Sequence, residues 1–510
     1  MKCDPQAEVI SFLGTLDTHG SADPVEVIET HAAHVFLTGS DAFKIKRAVR
    51  YDYLDYSTLE KRHAALKREL ELNTPAAPGI YRDVVAITRE PDGALTFAGQ
   101  GTPVEWVLRM ARFPTEDELA HVAAQGALDL PLAEALGRSV AQYHGMAEIR
   151  GDKPNSILIG QIIDELARVF AGLDELPDAD MRTFLTGARR IVQRESATLD
   201  ARTTAGRVRR CHGDLHLRNI VLLDGIPTPF DALEFDEELG TCDVLYDLAF
   251  LLMDLRYRGL DAAANAVMNA WLRASRTETD LAGLRVLPLF IGVRAAISAM
   301  VAVQTARARG GDAAVLDDAR RYLADACEAL EPVAPCLIAV GGLSGTGKTT
   351  LARALAPGIG PTPGAVHLRS DTERKAMLGV GDDTPLPDTA YTAEVNAQVY
   401  DRIARRAGMA LGAGHAVIVD AVYLNAGERH AIEKVARQCG VPFKGLWLEA
   451  GAETLVSRVE ARRDDASDAD AAVVRMQLDR LRYRVGWGHV DASGTPDDTK
   501  DRALAALDPG

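Results

Sequence analysis

The residues with the clearest chemical meaning form a short glycine-rich stretch that begins at Gly342. It reads GLSGTGKT and fits the pattern G-x-x-x-x-G-K-[ST], with an apolar run before it and a helix-forming run after it. Glycine permits the tight backbone path in which successive N–H groups point at phosphate oxygens. Lys348 is expected to bind the β- and γ-phosphates and to act in catalysis, while the Thr349 hydroxyl ligates Mg²⁺. The pattern predicts a site for ATP and Mg²⁺, formed by Gly342, Ser344, Gly345, Thr346, Gly347, Lys348, Thr349 and Thr350.

Two aspartates follow apolar runs in the same part of the chain. Asp420 ends the run AVIVD, where a carboxylate organises Mg²⁺ in phosphate-binding-loop proteins, so we predict that it is a metal ligand. Asp371 comes after the run AVHL and is predicted to accept the proton of a substrate hydroxyl, with Arg374 holding an anionic group of the substrate. The alternative for Asp420 is an ordinary aspartate at the end of a strand. The alternative for Asp371 and Arg374 is a helix N-cap aspartate and a solvated arginine.

An arginine-rich segment, SRVEARR, lies further along the chain. Arg458 and Arg462 are four residues apart, which places them on one face of a helix. We predict that they close over the transferring phosphate and offset its developing charge. The alternative is a solvated helix with surface ion pairs.

A second set of polar residues lies in the first half of the chain. The sequence HGDLHLRN contains Asp214 and Asn219, and Asp231 follows twelve residues after Asn219. A hydroxyl nucleophile needs a carboxylate base, and two oxygen ligands are needed for Mg²⁺ on the phosphates. We predict Asp214 as the base and Asn219 with Asp231 as the metal ligands, on either side of a two-stranded hairpin. The alternative is a polar loop rich in turn-forming residues.

The predicted elements differ between the two parts of the chain. Before the prolines of EPVAP, the patterns indicate strands at 34–47, 81–88 and 94–98, a helix at 57–73 capped by Ser57, a crossover at 105–113, and helices over 116–205 and 243–331. After EPVAP, apolar runs alternate with helices, which is typical of a parallel sheet flanked by helices. The polar stretch SGTPDDTKD near the end is expected to be loosely held.

Composition excludes several classes of protein. The 510 residues contain 47% hydrophobic and 25% charged residues, as folded globular domains do, and the net charge of −16 argues against polynucleotide binding. The six cysteines have no regular spacing, which indicates reduced thiols in a cytoplasmic protein. The apolar stretch 286–306 contains Arg294, so a buried helix is expected there rather than a membrane span.

The second half resembles small P-loop kinases of the gluconate kinase, zeta-toxin and chloramphenicol phosphotransferase group. The resemblance rests on GLSGTGKT, SDTER, VIVDA and SRVEARR, and it implies ATP-dependent phosphoryl transfer without naming the acceptor. The order of the two halves, with phrases such as FKIKRAV and FDALEFD, is similar to a bacterial group of fusion proteins.

The first half resembles the aminoglycoside phosphotransferase family, which has the protein-kinase-like fold. The resemblance rests on the HGD segment with its later aspartate, and on Asp243 and Asp247 of CDVLYD, where Asp247 would brace the catalytic loop. It implies a small lobe in which a strand lysine pairs with a helix glutamate. Lys46 is favoured over Lys44 for the lysine, and Glu69 over Glu60 for the glutamate. The small lobe has no G-x-G-x-x-G, so the turn TGSD would cover the phosphates.

The predicted fold class is therefore α/β and α+β in two domains. Residues 1–333 form a protein-kinase-like domain, with a small lobe over about 1–110 and a helical large lobe over about 111–333, and residues 334–510 form a P-loop domain. We expect a bifunctional kinase acting on small-molecule hydroxyl acceptors, with ATP and Mg²⁺ as cofactors and neither polynucleotide nor membrane as a partner. One alternative is a P-loop kinase regulated by a non-catalytic first half. The other is a toxin-type nucleotide-sugar kinase.

Overall fold

The computed structural model describes residues 6–15, 24–51, 54–461, 466–481 and 484–507. The chain divides into two compact units. The first contains residues 1–155 and 206–254, and the second contains residues 156–205 and 255–510. The second unit thus includes helical segments that the sequence assigns to the first domain. The boundary near 333, which rests on the prolines of EPVAP and the change of pattern after them, stays a prediction.

The first unit is built around an antiparallel six-stranded sheet with the order β1-β2-β3-β8-β6-β7. The predicted strands are present, but residues 105–113, expected to be a crossover, lie largely within strand β8. Strand β8 pairs with β3 on one side and with β6 on the other, so it lies in the middle of the sheet. The strands of this part are β1 Glu26–Glu29, β2 Ala33–Thr38, β3 Asp41–Lys46, β4 Arg50–Tyr51, β5 Leu54–Asp55, β6 Tyr81–Arg89, β7 Leu95–Phe97 and β8 Thr102–Ala111.

One helix packs against this sheet and supplies a buried glutamate. Helix α2 covers Leu59–Asn73, close to the predicted 57–73, but its N-cap is Thr58 rather than Ser57. The Thr58 hydroxyl accepts a hydrogen bond from the backbone N–H of Lys61. The side chain of Ser57 instead bonds to Asp55, which removes it from the cap position.

The rest of the first unit holds the polar loop of the HGD segment. Strands β10 and β11 form the predicted hairpin, and they lie between the segments that carry the candidate residues. The remaining elements are α1 Ala7–Leu13, α3 Leu119–Ala124, α4 Leu130–Met146, β9 Val208–Arg210, β10 Ile220–Leu223, β11 Ile226–Pro229 and β12 Thr241–Asp243. Helix α8, Val244–Tyr257, continues from this unit into the second one.

The second unit contains a parallel five-stranded sheet with the order β14-β15-β13-β16-β17. Every residue of the central strand β13 is buried, which explains why it reads as a continuous apolar run. The strands are β13 Leu337–Gly342, β14 Val366–Arg369, β15 Val417–Asp420, β16 Phe443–Glu449 and β17 Gly488–Asp491. This arrangement confirms the predicted parallel sheet with helices on its faces.

The helices of the second unit fall into two groups. Those before the sheet are α5 Asn155–Phe170, α6 Asp178–Arg194, α7 Ser196–Thr204, α9 Asp261–Ser275, α10 Glu278–Gly283, α11 Leu287–Ala308 and α12 Ala313–Ala329. Those that alternate with its strands are α13 Lys348–Leu355, α14 Ser370–Leu378, α15 Ala393–Gly412, α16 Ala426–Cys439, α17 Ala452–Glu460, α18 Ala471–Arg480 and α19 Pro496–Leu507.

Within the described residues, one helical stretch, 278–308, is long and apolar enough to cross a membrane. About two thirds of its most apolar window is buried inside the protein (67%). Helix α11 within it packs along α12, and Arg294 is itself buried. The stretch therefore has the surroundings of a core helix, as its sequence predicts.

The expectation of a loosely held C-terminal stretch is wrong. Residues 496–507 form helix α19, which contacts strand β17 and helix α13. Ala503 is fully buried in the same apolar core as residues of β13 and α13. The polar composition of 493–501 reflects a capped helix start, where Asp498 accepts hydrogen bonds from Thr495.

Candidate functional sites

The glycine-rich loop of the second unit follows a tight backbone path that glycine adopts readily. It connects β13 to α13, and Gly345 has a φ of +86°. A Cβ atom at Gly345 would lie 2.6 Å from the carbonyl oxygen of Leu455, so the loop excludes a side chain at that position. The ammonium of Lys348 folds back over the loop and donates to the carbonyl oxygen of Leu343 at 3.0 Å.

The two predicted metal ligands of this unit lie next to each other. The Thr349 hydroxyl donates to Oδ1 of Asp420 at 3.2 Å, and Nε2 of His367 lies 2.6 Å from Oδ2 of the same carboxylate. Burial alone would raise the pKa of Asp420, but the hydrogen bond and charge of His367 hold it below its ordinary value. A hydroxyl and an ionised carboxylate side by side are the oxygen donors that Mg²⁺ prefers, so these residues fit that ion.

The predicted base Asp371 lies in the first turn of α14. Its Oδ2 is 3.7 Å from Nη2 of Arg369. Burial raises the pKa of Asp371, and the positive charges of Arg369 and Lys348 oppose this effect. The charges of Lys348 and Asp420 both act on the pKa of Asp371, so Asp371 and the phosphate loop share one electrostatic environment.

Two of the three arginines predicted to contact substrate or phosphate, Arg374 and Arg458, donate to backbone carbonyl oxygens. Arg374 is only 5% exposed, donates to the carbonyl of Ala390 at 2.8 Å, and lies 4.7 Å from the centroid of the Tyr391 ring. Arg458 donates to the carbonyl oxygens of Ala492 and Gly494. Arg462 lies outside the described residues. The substrate and phosphate roles of these arginines stay predictions.

One residue that the sequence analysis did not single out contacts the phosphate loop. Oε1 of Gln477, on helix α18, accepts from the backbone N–H of Ser344 at 2.8 Å. Nε2 of the same side chain donates to the Ser344 hydroxyl at 3.1 Å. A single glutamine 133 residues away carries no local signal, so only the fold could reveal this contact.

A cavity of about 550 Å³ lies in the second unit between helices α15 and α16. Arg374 stacks against Tyr391, a residue of its wall, and the charge of Asp371 acts on the same tyrosine. This size suits a small molecule. The lining residues are Tyr391, Ala393, Asn396, Ala397, Tyr400, Asp401, Asn425, Gly427, Glu428, Ala431 and Arg480.

In the first unit, the HGD segment and the hairpin bring Asp214 and Asn219 together. Nδ2 of Asn219 donates to Oδ2 and to the backbone oxygen of Asp214, each at 2.9 Å. Asp231 follows strand β11 with a φ of +61°, and its backbone N–H donates to the Tyr81 hydroxyl at 3.0 Å. An αL conformation at a non-glycine residue is uncommon and concentrates at functional sites.

Both candidate lysines of strand β3 bind the same glutamate. Glu69 accepts from Nζ of Lys44 at 2.7 Å and lies 2.6 Å from Nζ of Lys46. Lys44 also contacts Asp231 at 2.7 Å, and Lys46 contacts Glu234 at 2.6 Å. Glu60 is exposed on the same helix. The geometry therefore brings Glu69 to both lysines, and Lys44 is the one that also reaches the predicted metal ligand.

These contacts set the charge of the group. Burial alone would lower the pKa of Lys44, but Asp231 and Glu69 together raise it well above its ordinary value. Burial likewise would raise the pKa of Asp231, and Lys44 and Lys46 outweigh it, so that pKa lies well below its ordinary value. Both groups are therefore ionised at neutral pH. The carboxylate and amide oxygens of Asp231 and Asn219 have the chemistry that suits Mg²⁺.

Asp247, in helix α8, holds the HGD loop from behind. Its carboxylate accepts from the backbone N–H groups of His212 and Gly213, and Oδ2 lies 3.0 Å from Nε2 of His144. Cys211 completes this buried cluster. The hydrogen bonds to Asp247 fix the backbone of the two residues that precede Asp214.

The two carboxylates just past Asp231 have different partners. Glu234 pairs with Lys46 and accepts from the Tyr56 hydroxyl at 2.5 Å. Asp236 accepts from the backbone N–H groups of Glu238 and Leu239, and so caps a turn.

The chain is similar in sequence to known proteins over most of its length. A family model described as an AAA domain matches residues 337–484. Over 501 residues, the chain is 30% identical to the Uncharacterized protein Rv2004c of Mycobacterium tuberculosis strain H37Rv, with 94% of this chain and 95% of that protein covered. A Mycobacterium bovis protein matches with the same identity and coverage.

Two solved structures correspond to different parts of the chain. A gluconokinase from Sinorhizobium meliloti 1021 is 22% identical, with 34% of this chain and 91% of that chain covered and a TM-score of 0.26. A choline/ethanolamine kinase family protein from Mesorhizobium loti is 15% identical, with 64% of this chain and 94% of that chain covered and a TM-score of 0.37.

Replacing Glu69 tests whether its carboxylate compensates the positive charges of the two buried lysines, Lys44 and Lys46. We expect Glu69→Gln to lower the free energy of unfolding by about 3 kcal/mol, because it removes one partner from a buried ionic cluster. The matched variant Glu60→Gln, on the same helix but exposed, is expected to change it by less than about 0.5 kcal/mol. Urea unfolding measures both. Equal effects of the two substitutions would contradict the assignment.

Proposed function

The chain belongs to the same family as the mycobacterial protein Rv2004c, and we propose that it is a bifunctional ATP-dependent small-molecule kinase. Each half transfers the γ-phosphoryl group of ATP to a hydroxyl of a metabolite such as a sugar or an amino sugar. The observation that carries the proposal is a repeated set of groups. Each compact unit contains a carboxylate base candidate, a lysine and a pair of oxygen ligands suited to Mg²⁺.

In the second unit, the phosphate loop and Lys348 bind the triphosphate. Thr349 and Asp420 would hold Mg²⁺, which offsets the negative charge of the β- and γ-phosphates when it is bound. Asp371 accepts the proton of the acceptor hydroxyl as its oxygen bonds to the γ-phosphorus. The bond from that phosphorus to the β–γ bridging oxygen breaks, and ADP leaves with the electron pair. Gln477 supports the loop through Ser344.

The cavity beside Tyr391 supports a polyhydroxylated acceptor in this half. Its wall offers two tyrosine rings, the amides of Asn396 and Asn425, and the carboxylate of Asp401. Aromatic faces and short polar side chains together suit a ring that carries several hydroxyl groups. Tyr391 in this wall lies against Arg374, which is three residues after Asp371 in helix α14, and this supports delivery of a hydroxyl to that base.

In the first unit, Asp214 has the role of the base. Asn219 donates to it at 2.9 Å and so fixes its orientation, while Asn219 and Asp231 would hold Mg²⁺. Lys44 is placed between Glu69 and Asp231, where it can move from a carboxylate to a phosphate oxygen when nucleotide binds. The acidic net charge argues against a polynucleotide and supports a small acceptor. The five described cysteines are free thiols, which supports a reducing cytoplasmic location.

A panel of acceptors tests whether both halves transfer phosphate. Wild type, Asp214→Asn and Asp371→Asn would be incubated with ATP and pooled sugars, amino sugars, aminoglycosides and nucleosides, and phospho-products would be measured by mass spectrometry. Each variant is expected to lose about 10²–10⁴-fold in rate for its own acceptor and to keep the other activity. If both variants retain every activity of the wild type, the proposal is wrong. Loss of products in Asp371→Asn alone would favour a regulatory first half.

The raised pKa of Asp371 predicts the pH dependence of the second activity. The carboxyl must be ionised to act as a base, so the rate falls as the pH falls through its raised pKa. Arg369→Met removes a positive charge that stabilises the ionised form, so the acidic limb of the pH–rate profile moves to higher pH. Arg369→Lys keeps the charge and is the matched control. A limb that stays in place in Arg369→Met would contradict the role of Asp371.

A further inference from the structure

Strand β14 is the edge of the parallel sheet, and helix α9 covers that edge with two asparagines. Nδ2 of Asn265 donates to the carbonyl oxygens of Pro363 and Ala365 at 3.1 and 3.0 Å. Oδ1 of Asn269 accepts from the backbone N–H of His367 at 2.8 Å, and its Nδ2 lies 3.2 Å from the carbonyl oxygen of Ala365. Both amides are at most 5% exposed. They take the place of a neighbouring strand on the unpaired side of β14.

The docking of α9 on this edge is close. Gly364, just before β14, has a φ of +108°, and a Cβ there would lie 2.9 Å from Nδ2 of Asn265 and 2.4 Å from the carbonyl oxygen of Ala356. The site therefore admits only glycine, because a side chain would collide with the backbone of Ala356 and with the amide of Asn265. The backbone of β14 is fixed against α9 by contacts that leave little room for adjustment.

The asparagine that binds the backbone of His367 starts a buried chain of contacts to the candidate metal site. Nε2 of His367 lies 2.6 Å from Oδ2 of Asp420, and the Thr349 hydroxyl donates to Oδ1 of that carboxylate at 3.2 Å. His367 is 8% exposed and Asp420 is 2% exposed. One carboxylate oxygen is thus held by a neighbouring strand while the other faces the phosphate loop. Side chains that orient metal ligands in this way tune metal affinity.

We propose that His367 and Asn269 are positioning residues for the Mg²⁺–nucleotide site of the second half. Asn269 fixes the backbone of β14, His367 then fixes the carboxylate of Asp420, and the carboxylate presents its other oxygen beside Thr349. The inference rests on the proposed function, because it requires that this half binds nucleotide with Mg²⁺. It adds that helix α9, which precedes the P-loop segment by about seventy residues of sequence, is part of that site.

Asn265 offers a matched control. It lies one helical turn before Asn269, is equally buried and binds the same strand edge. Its Oδ1 accepts from Nδ2 of Asn269, but the backbone N–H of His367 donates to Asn269 and not to Asn265. If the asparagines only close the sheet edge, then Asn265→Ala and Asn269→Ala act alike. If Asn269 positions the metal ligand, only Asn269→Ala changes the dependence on Mg²⁺.

The test measures binding of a fluorescent ATP analogue to the full chain during Mg²⁺ titration. Binding that persists in Lys348→Ala is attributed to the other half and subtracted. His367→Leu is expected to raise the Mg²⁺ concentration for half-maximal binding about tenfold. His367→Gln, whose amide can still donate to Asp420, is expected to lie closer to the wild type. Asn269→Ala shifts the midpoint in the same direction by a smaller factor, and Asn265→Ala leaves it at the wild-type value.

Two results would overturn the inference, and they differ from each other. If the wild type shows Mg²⁺-dependent binding that Lys348→Ala removes, but His367→Leu and His367→Gln titrate like the wild type, the positioning roles are wrong and the proposed function stands. If no binding in the wild type depends on both Mg²⁺ and Lys348, the proposed function of this half fails and the inference falls with it. The two His367 variants keep the contacts of α9 with the backbone, so they decide the matter even if Asn269→Ala unfolds.

Discussion

A buried carboxylate needs a positive or hydrogen-bonding partner, and both candidate sites are organised around that constraint. Phosphoryl transfer requires ionised oxygens near the nucleotide, while burial favours the neutral form. In the first unit, Lys44 and Lys46 offset the charges of the buried Glu69 and Glu234 and of the partly exposed Asp231. In the second unit, His367 performs this task for Asp420. His367 comes from the strand paired with the one that ends at Asp420, whereas the lysines come from β3 and reach the loop after β11 through their side chains.

The same partners also determine geometry. A lysine between two carboxylates holds the loop after β11 against strand β3, and a histidine on β14 holds the end of β15. Backbone groups around the sites are fixed in turn by side chains, as Asp247 fixes the HGD loop and Gln477 fixes the phosphate loop. Such preorganised groups do not have to be ordered again when the substrate arrives, which lowers the barrier to transfer.

Much of this arrangement could be predicted from the sequence because its signals are local. The glycine-rich loop, the hairpin after the HGD segment and the buried strands each depend on residues within about a dozen positions, and the structure has all of them. Where the sequence failed, a contact elsewhere decided the outcome. Ser57 loses the cap to Thr58 because Asp55 binds it, and the polar C-terminal stretch is helical because Ala503 reaches the core.

The contacts missed entirely join residues that are far apart in the chain. Gln477 with Ser344, and Asn269 with His367, are polar pairs separated by about a hundred residues or more, and no periodicity marks either one. The sequence favours Lys46 over Lys44, but the structure does not separate the two lysines in this way. Alternate residues of a strand share one face, so both reach Glu69.

The number of nucleotides bound by one chain tests the central claim most directly. Isothermal titration of the full chain with a non-hydrolysable ATP analogue and Mg²⁺ would measure it for the wild type, Lys348→Ala and Asp231→Asn. Two independent sites predict a stoichiometry of two for the wild type and one for each variant. A stoichiometry of one in the wild type, abolished by Lys348→Ala and unchanged by Asp231→Asn, would contradict the account of the first half.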